Sequence, residues 1–248
     1  MAGVGSWFGR GLLAVAVLLM VLVGVSAGAV PVQRRAAAAP VPAPVVLRIM
    51  PLGASSTVGS GSPETAGYRG PLQWLLARDG VTVDMVGSQR SGPASVRDCD
   101  YEGRSGLTLE DMRPRVAEWV RRADPDVVLL HMGTNDLLKG ASPEKAVSRL
   151  EDVLSQIVMV SDAHVVVAGV WAPLPGEARD RAEFNRLGAA LVGDFRRRGH
   201  SMRYLDVSEP LESDELADGL HPNATGYRMI AAMWERQILD VIGRRAGS

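Results

Sequence analysis

Five short apolar runs alternate with longer amphipathic segments over most of the chain, and this alternation restricts the possible folds more than any other feature. The apolar runs occupy residues 45–50, 81–86, 126–132, 164–170 and 202–207. The amphipathic segments occupy about 67–79, 108–122, 142–161, 177–198 and 222–244. Short apolar runs predict buried strands, and strands separated by helices form a mostly parallel sheet with helices on both faces. We therefore expect an α/β chain, a three-layer α/β/α sandwich around a mostly parallel five-stranded sheet.

The first residues of the chain have the composition of an export signal. Arg10 precedes an uncharged stretch at 11–32, and Ala-Gly-Ala at 27–29 is a small-residue site of the kind that signal peptidases cleave. The alternative is an uncleaved membrane anchor, because the uncharged stretch is long enough to cross a bilayer. We divide the chain into a signal peptide or anchor at 1–29, an Ala/Pro-rich linker at 30–44 and a folded domain at 45–248. Both alternatives predict a secreted or outward-facing, extracellular domain.

Charge and composition exclude several kinds of partner. After residue 40 the chain carries 24 basic and 28 acidic side chains, a net charge of −4, which is not the basic surface that nucleic acid requires. Its one cysteine, Cys99, cannot form an internal disulfide, and the sequence has no zinc-binding or other metal motif. We expect a monomer without metal or cofactor, which would contact a membrane only through an uncleaved N-terminal segment.

Candidate catalytic residues follow four of the five predicted strands. Ser55 lies after the first strand, Gly87 after the second and Asn135 after the third. His221 follows the fifth, and Asp218 lies three residues before it, where its carboxylate can reach the imidazole Nδ1. Each residue alone is equally typical of a turn or a helix cap. Together, at one edge of a parallel sheet, they predict a serine nucleophile, a histidine base and donors for an oxyanion.

These residues resemble the four conserved blocks of the SGNH, or GDSL, hydrolase superfamily, and the resemblance extends from Leu47 to about Ile242. Further segments are similar to the acetylxylan esterases of carbohydrate esterase family three. They are Arg48-Ile-Met-Pro-Leu-Gly, Gly67-Tyr-Arg-Gly-Pro-Leu, Val83-Asp-Met-Val-Gly-Ser-Gln-Arg-Ser-Gly-Pro, Asp100-Tyr-Glu-Gly-Arg-Ser-Gly and Asp218-Gly-Leu-His-Pro.

The resemblance implies a flavodoxin-like sheet and a role for each candidate residue. Ser55 would be the nucleophile, His221 the general base and then acid, and Asp218 the acid that orients the histidine. The oxyanion hole would consist of the backbone N–H groups of Ser55 and Gly87 and the side-chain amide of Asn135. The resemblance thus implies a secreted serine esterase that hydrolyses short acyl esters, acetyl above all. Its substrate would be a small ester or an acetylated polysaccharide such as xylan.

Two positions depart from the family pattern. Ala54 stands where the family usually has Asp before the serine, and Tyr101 stands where the esterases have a histidine. Ala54 removes hydrogen bonds that would hold the serine loop. Tyr101 is expected in a loop that borders the acyl or sugar site, so it bears on the choice of substrate.

Two alternatives stay open at this point. A lysophospholipase-like or general lipid or aryl esterase would need an apolar groove, whereas the loops at 59–70 and 87–106 are rich in Gly, Ser and Arg. A non-catalytic envelope or glycan-binding module would keep the fold but not react with serine-directed reagents.

The aromatic residues and one further histidine receive structural interpretations. Trp74, Trp119 and Trp234 fall at helical positions typical of core residues. Trp171 follows the fourth predicted strand, so it is the candidate for stacking on a sugar ring. His131 lies inside an apolar strand and is expected to be a hydrogen-bonded core residue.

Overall fold

The computed structural model describes residues 46–174, 176–207 and 209–246. The predicted signal peptide and linker lie outside the described residues. Within those ranges no helix has the length and apolar character needed to cross a bilayer.

The predicted strands and helices are present in the described residues, with further short strands and helices between them. The strands are β1 (Val46–Gly53), β2 (Thr82–Met85), β3 (Gln89–Arg90), β4 (Asp100–Gly103), β5 (Val127–His131), β6 (His164–Ala168) and β7 (Met202–Leu205). The helices are α1 (Ser55–Val58), α2 (Arg69–Arg78), α3 (Leu109–Met112), α4 (Val116–Ala123), α5 (Thr134–Leu138), α6 (Pro143–Val160), α7 (Ala178–Arg197) and α8 (Ala224–Ala246). Helix α6 begins as Ser142 and Pro143 indicate, with the Ser142 side chain accepting a hydrogen bond from the Lys145 backbone N–H.

All five predicted strands form and pair in parallel, in the order β2-β1-β5-β6-β7. The sheet has two strands more than predicted over the described residues. Strand β4 joins β1 in parallel at Leu52 and Gly53, and β3 pairs antiparallel with β4. Both are short and carry polar residues such as Gln89 and Asp100, so no apolar run marked them.

The first strand is predicted to end at Met50. Strand β1 continues for three more residues, to Gly53, and so includes Pro51. The pairing of β1 with β2 ends at Ile49, and its pairing with β4 begins at Leu52. Pro51 therefore lies between these two pairings, where β1 has no partner strand on this side. Because proline has no N–H to donate, this is a position where no ladder hydrogen bond is lost.

Two apolar layers cover the sheet, which confirms the α/β/α sandwich. On one face Met50 and Leu52 of β1 pack in a cluster with helices α3, α4, α6 and α7. On the other face Leu47 and Ile49 pack with α2 and α8. Because both faces are buried, the carboxyl edge of the sheet is where polar side chains of several strand ends can meet.

Candidate active site

Ser55 is placed by the sharp turn that follows β1. The strand ends at Gly53, and Ser55 is the first residue of α1, with its side chain half-buried. A Cβ at Gly53 would lie 2.4 Å from the Thr57 Oγ1 and 2.6 Å from the His131 carbonyl oxygen. Only glycine allows the chain to turn this closely, so the turn fixes where Ser55 leaves the sheet.

His221 reaches Ser55 across 166 residues of sequence. The His221 Nε2 lies 3.0 Å from the Ser55 Oγ, and its Nδ1 lies 2.8 Å from the Asp218 Oδ2. The other oxygen of Asp218 accepts hydrogen bonds from the backbone N–H groups of Leu220 and His221, at 3.1 and 2.8 Å. The structure thus brings the three predicted side chains into one chain of hydrogen bonds.

The Asp218 carboxylate is held in its ionised form. Hydrogen bonds from the backbone N–H and the side chain of His221 lower the pKa of Asp218 to about 2. Its side chain is 55% exposed, so hydrogen bonding and not burial governs its charge. A permanent acceptor at Nδ1 keeps the Nδ1 proton in place and leaves Nε2 free to accept a proton from Ser55.

The loop that carries His221 is fastened to the start of α8. The last amphipathic segment is predicted to begin at residue 222, but α8 begins at Ala224, and Asn223 caps it by accepting hydrogen bonds from the backbone N–H groups of Thr225 and Gly226. The prediction of the helix start is therefore wrong by two residues, because the Asn side chain supplies the cap. The Asn223 amide also donates to carbonyl oxygens earlier in the loop, those of Asp214 and Leu216.

Removing this cap should destabilise the protein. We expect Asn223→Ala to lower the free energy of unfolding by about 1–2 kcal/mol, measured by urea denaturation, because two N–H groups lose their acceptor. Asn223→Asp is the matched control, since it keeps the cap but cannot donate to the Asp214 and Leu216 carbonyls. We expect it to lose less stability than the alanine variant. Equal unfolding curves for wild type and Asn223→Ala would show that the cap contributes nothing.

The predicted oxyanion donors come from three neighbouring strand ends. The backbone N–H of Ser55 lies at the first position of α1, where a helix offers no internal partner. A Cβ at Gly87 would lie 2.1 Å from the Tyr101 carbonyl oxygen, so glycine is required there. The Asn135 side-chain amide donates one hydrogen to the Leu107 carbonyl oxygen at 2.9 Å. Its second hydrogen remains for a ligand.

Three contacts hold α1 although Ala54 provides no side-chain cap. The buried Arg69 guanidinium donates to the carbonyl oxygens of Thr57 and Val58. The hydroxyl of Tyr227 donates to the Ser60 carbonyl oxygen at 2.7 Å. The two Arg69 contacts fasten the C-terminal end of α1, opposite Ala54, and the Tyr227 contact fastens the turn after the helix. Sequence reasoning missed both residues, although Arg69 lies within one of the segments that carry the family resemblance.

Tyr101 is predicted to lie in a loop, but the structure places it in strand β4, where it is buried. The Arg69 guanidinium carbon lies 4.2 Å from the centre of its ring, and the Ser91 hydroxyl donates to its oxygen at 3.1 Å. Next to it, the Glu102 carboxylate accepts hydrogen bonds from the backbone N–H and the hydroxyl of Ser88. The side chains of β4 thus support the turn that contains Gly87.

Trp171 is not available to a sugar, contrary to the prediction. It is 1% exposed and its ring stacks on His131, with centroids 3.4 Å apart and planes 5° from parallel. His131 is a core residue as expected, and burial lowers its pKa to about 3, so the ring is neutral. The His131 Nε2 makes no hydrogen bond within the described ranges, so the expectation of a hydrogen bond is wrong for this atom. The ring contacts Trp171 through its flat face instead.

The described part of the chain shows no candidate metal site. No cluster of three or more His, Cys, Asp or Glu side chains could hold an ion there. Cys99 is buried with its thiol unpaired to any other cysteine.

Comparison with known proteins places this geometry among ester hydrolases. Residues 52–229 match the model of the GDSL-like lipase/acylhydrolase family. A family 3 carbohydrate esterase from Clostridium thermocellum superposes with a TM-score of 0.74 and 32% identity, covering 82% of this chain and all of that one. A family 3 carbohydrate esterase from Talaromyces cellulolyticus has the same fold, with a TM-score of 0.67, 21% identity and coverage of 80% and 99%.

A curated relative has a similar sequence but is much longer. The multidomain esterase of Ruminococcus flavefaciens is 29% identical over 225 residues, which are 77% of this chain. The chain spans only 28% of that relative, and 64% of a second one from Acetivibrio thermocellus to which it is 26% identical over 148 residues. The similarity therefore concerns only part of each relative's length.

Proposed function

Because the chain belongs to the GDSL-like lipase/acylhydrolase family and carries an ester hydrolase domain of the SGNH type, we propose that it removes acetyl groups from a polysaccharide such as xylan, through an acyl-enzyme on Ser55. The observation that carries this proposal is the hydrogen-bonded series from the Ser55 Oγ through the His221 ring to Asp218. The name of the Clostridium thermocellum carbohydrate esterase to which the chain is similar supports a sugar ester as the substrate, and the name of the multidomain esterase supports an ester.

The first half of the reaction forms the acyl-enzyme. The His221 Nε2 takes the Ser55 hydroxyl proton while the Oγ attacks the ester carbonyl carbon. Negative charge develops on the carbonyl oxygen, and the N–H groups of Ser55 and Gly87 and the amide of Asn135 stabilise it. His221 then donates its proton to the departing sugar hydroxyl, and the acetyl group stays on Ser55.

The second half releases acetate. His221 takes a proton from water, the water oxygen attacks the acetyl carbonyl, and the same three donors hold the second oxyanion. The proton returns to the Ser55 Oγ as the bond to the acetyl group breaks. Asp218 stays ionised throughout and stabilises the imidazolium that exists in each half.

Export belongs to the same proposal. The uncharged stretch after Arg10 and the small residues at 27–29 are what a secretory signal requires. A polymeric substrate also needs an enzyme outside the cell. We therefore propose that the domain acts in the extracellular space, either released or held by its N-terminal segment.

Acetate release from acetylated xylan tests this function directly. We expect acetate from the wild-type protein and none above background from Ser55→Ala. A parallel comparison of p-nitrophenyl acetate with p-nitrophenyl octanoate separates the lipid esterase alternative. Faster hydrolysis of the octanoate, with no acetate from xylan, would contradict the proposal.

A further inference from the structure

A groove of about 590 Å³ lies on the flank of the sheet, beside helix α2 and the edge strand β2. It is separate from the residues that surround Ser55. Its walls come from the 3₁₀ turn Pro63–Thr65, one face of α2, the start of β2 and the loop before β4. Its polar and aromatic lining residues include Glu64, Gln73, Trp74, Thr82, Ser95 and Arg97.

Trp74 is the main aromatic surface of this groove. It is 66% exposed, so the prediction that it belongs to the core is wrong. Gly70 and Ala77, about one helical turn before and after it, also line the groove and are too small to cover the indole. The Arg78 guanidinium carbon lies 5.6 Å from the centre of a Trp74 ring, which helps to keep the side chain in place.

The chemistry of this surface suits a sugar chain. An exposed indole offers a flat apolar face to the C–H groups of a pyranose ring, while neighbouring polar groups can meet its hydroxyls. Glu64, Thr82, Ser95 and Arg97 are all exposed along the walls. An apolar protein segment in the same place would leave these groups without partners, at a cost in free energy.

The groove begins close to the proposed catalytic site. A Cβ at Gly61 would lie 3.0 Å from the Cβ of His221. Thr65, at the near end of the groove, is four residues further along the chain, so it lies at most about 14 Å from Gly61. Helix α2 then carries the groove away from that edge, since the lining residues of the helix run from Gly70 to Ala77, about 11 Å along its axis.

We propose that this groove, named here the Trp74 groove, binds a stretch of the same polysaccharide chain whose acetyl group is cleaved at Ser55. This inference rests on the proposed function. The groove holds the polymer by stacking on Trp74, several sugar units from the scissile ester, and takes no part in the chemical step. It therefore lowers KM for polymeric substrates and leaves small esters unaffected.

Kinetics on substrates of two sizes test the inference. We expect Trp74→Ala to raise KM for acetylated xylan by about three- to tenfold with little change in kcat, since one aromatic stacking contact is lost. KM and kcat for p-nitrophenyl acetate should not change, and Trp74→Phe should restore part of the affinity for xylan. Met159→Ala is the matched control, because Met159 is 80% exposed on α6. Equal KM values for xylan in Trp74→Ala and wild type would overturn the inference.

A binding measurement separates this inference from the proposed function. Deacetylated xylan has no ester to cleave. We compare its affinity for Ser55→Ala with its affinity for the double variant Ser55→Ala, Trp74→Ala, and the difference reports the groove alone. Weaker binding by the double variant supports the groove even if wild type releases no acetate from xylan. Unchanged binding overturns it, even if acetate is released. A second copy of the chain is the other occupant to test. If wild type sediments as a dimer and Trp74→Ala as a monomer, and both bind xylan equally, the groove is an interface between copies and the inference is overturned.

Discussion

Replacing Ser55 by Ala is expected to lower kcat for p-nitrophenyl acetate by about 10⁶-fold, the size of effect seen when the nucleophile of a serine hydrolase is removed. Without the Oγ that lies 3.0 Å from the His221 Nε2, no acyl-enzyme can form. The remaining oxyanion donors and substrate binding then provide only the residual rate. Steady-state kinetics, together with mass spectrometry after treatment with a fluorophosphonate, measure the two consequences.

The neighbouring serine supplies the control. Ser56 is buried and next in sequence, but the hydroxyl that lies within hydrogen-bond distance of the His221 Nε2 is that of Ser55. We expect Ser56→Ala to retain most of the activity and to be labelled at Ser55. Labelling of wild type at any other residue, or full activity of Ser55→Ala, would show that Ser55 is not the nucleophile. No labelling and no activity in wild type would favour the non-catalytic module.

Replacing Asp218 by Asn is expected to lower kcat by about 10³- to 10⁴-fold, less than loss of the serine. The amide can place its N–H toward the His221 Nδ1, which favours the imidazole tautomer that carries its proton on Nε2 and cannot accept one from Ser55. The measurement is kcat for p-nitrophenyl acetate. Asp214→Asn is the matched control, because Asp214 lies in the same loop and its backbone carbonyl, not its side chain, is used by Asn223. Equal losses in both variants would mean that the charge of the loop matters, not the contact with His221.

The same carboxylate makes a pH-dependent contribution to stability. Its pKa in the folded protein, about 2, lies below the ordinary value of 3.8, so folding favours the ionised form. This stabilisation is fully present above about pH 4 and is lost as the pH falls toward 2. The difference in thermal stability between wild type and Asp218→Asn should therefore shrink over that range. If the activity of wild type falls with decreasing pH while the pH is still above 4, protonation of Asp218 should not be the cause.

The contacts of α1 explain how Ser55 can keep its position although Ala54 replaces the Asp that the family usually has before the serine. Ala54 provides no side-chain cap at the start of α1, yet Arg69 and Tyr227 fasten the far end of that helix and the turn after it. Because Arg69 is buried and also donates to the backbone carbonyls of Ser91 and Cys99, it joins α1 to the loop between β3 and β4. The geometry of Ser55 thus depends on contacts far from position 54 in the sequence.

The sequence alone determined the alternation of strands and helices, the parallel sheet and the residues to be tested as catalytic. These follow from local patterns: apolar runs of strand length, amphipathic segments of helix length, and polar residues directly after strands. Even the start of α6 could be predicted, since Ser142 and Pro143 act on their own backbone. Such features depend on neighbours in sequence, which the chain displays directly.

Only the tertiary structure decided which surfaces are buried and which side chains meet. The predictions for Trp171 and Trp74 are both wrong, because Trp171 is buried against His131 and Trp234, whereas Trp74 is exposed and flanked by small residues. The short strand β4 pairs with the part of β1 that extends beyond β2, and β3 pairs with β4. Burial and long-range pairing depend on groups that are distant in sequence and are brought close by the packing of the sheet, so no local pattern encodes them.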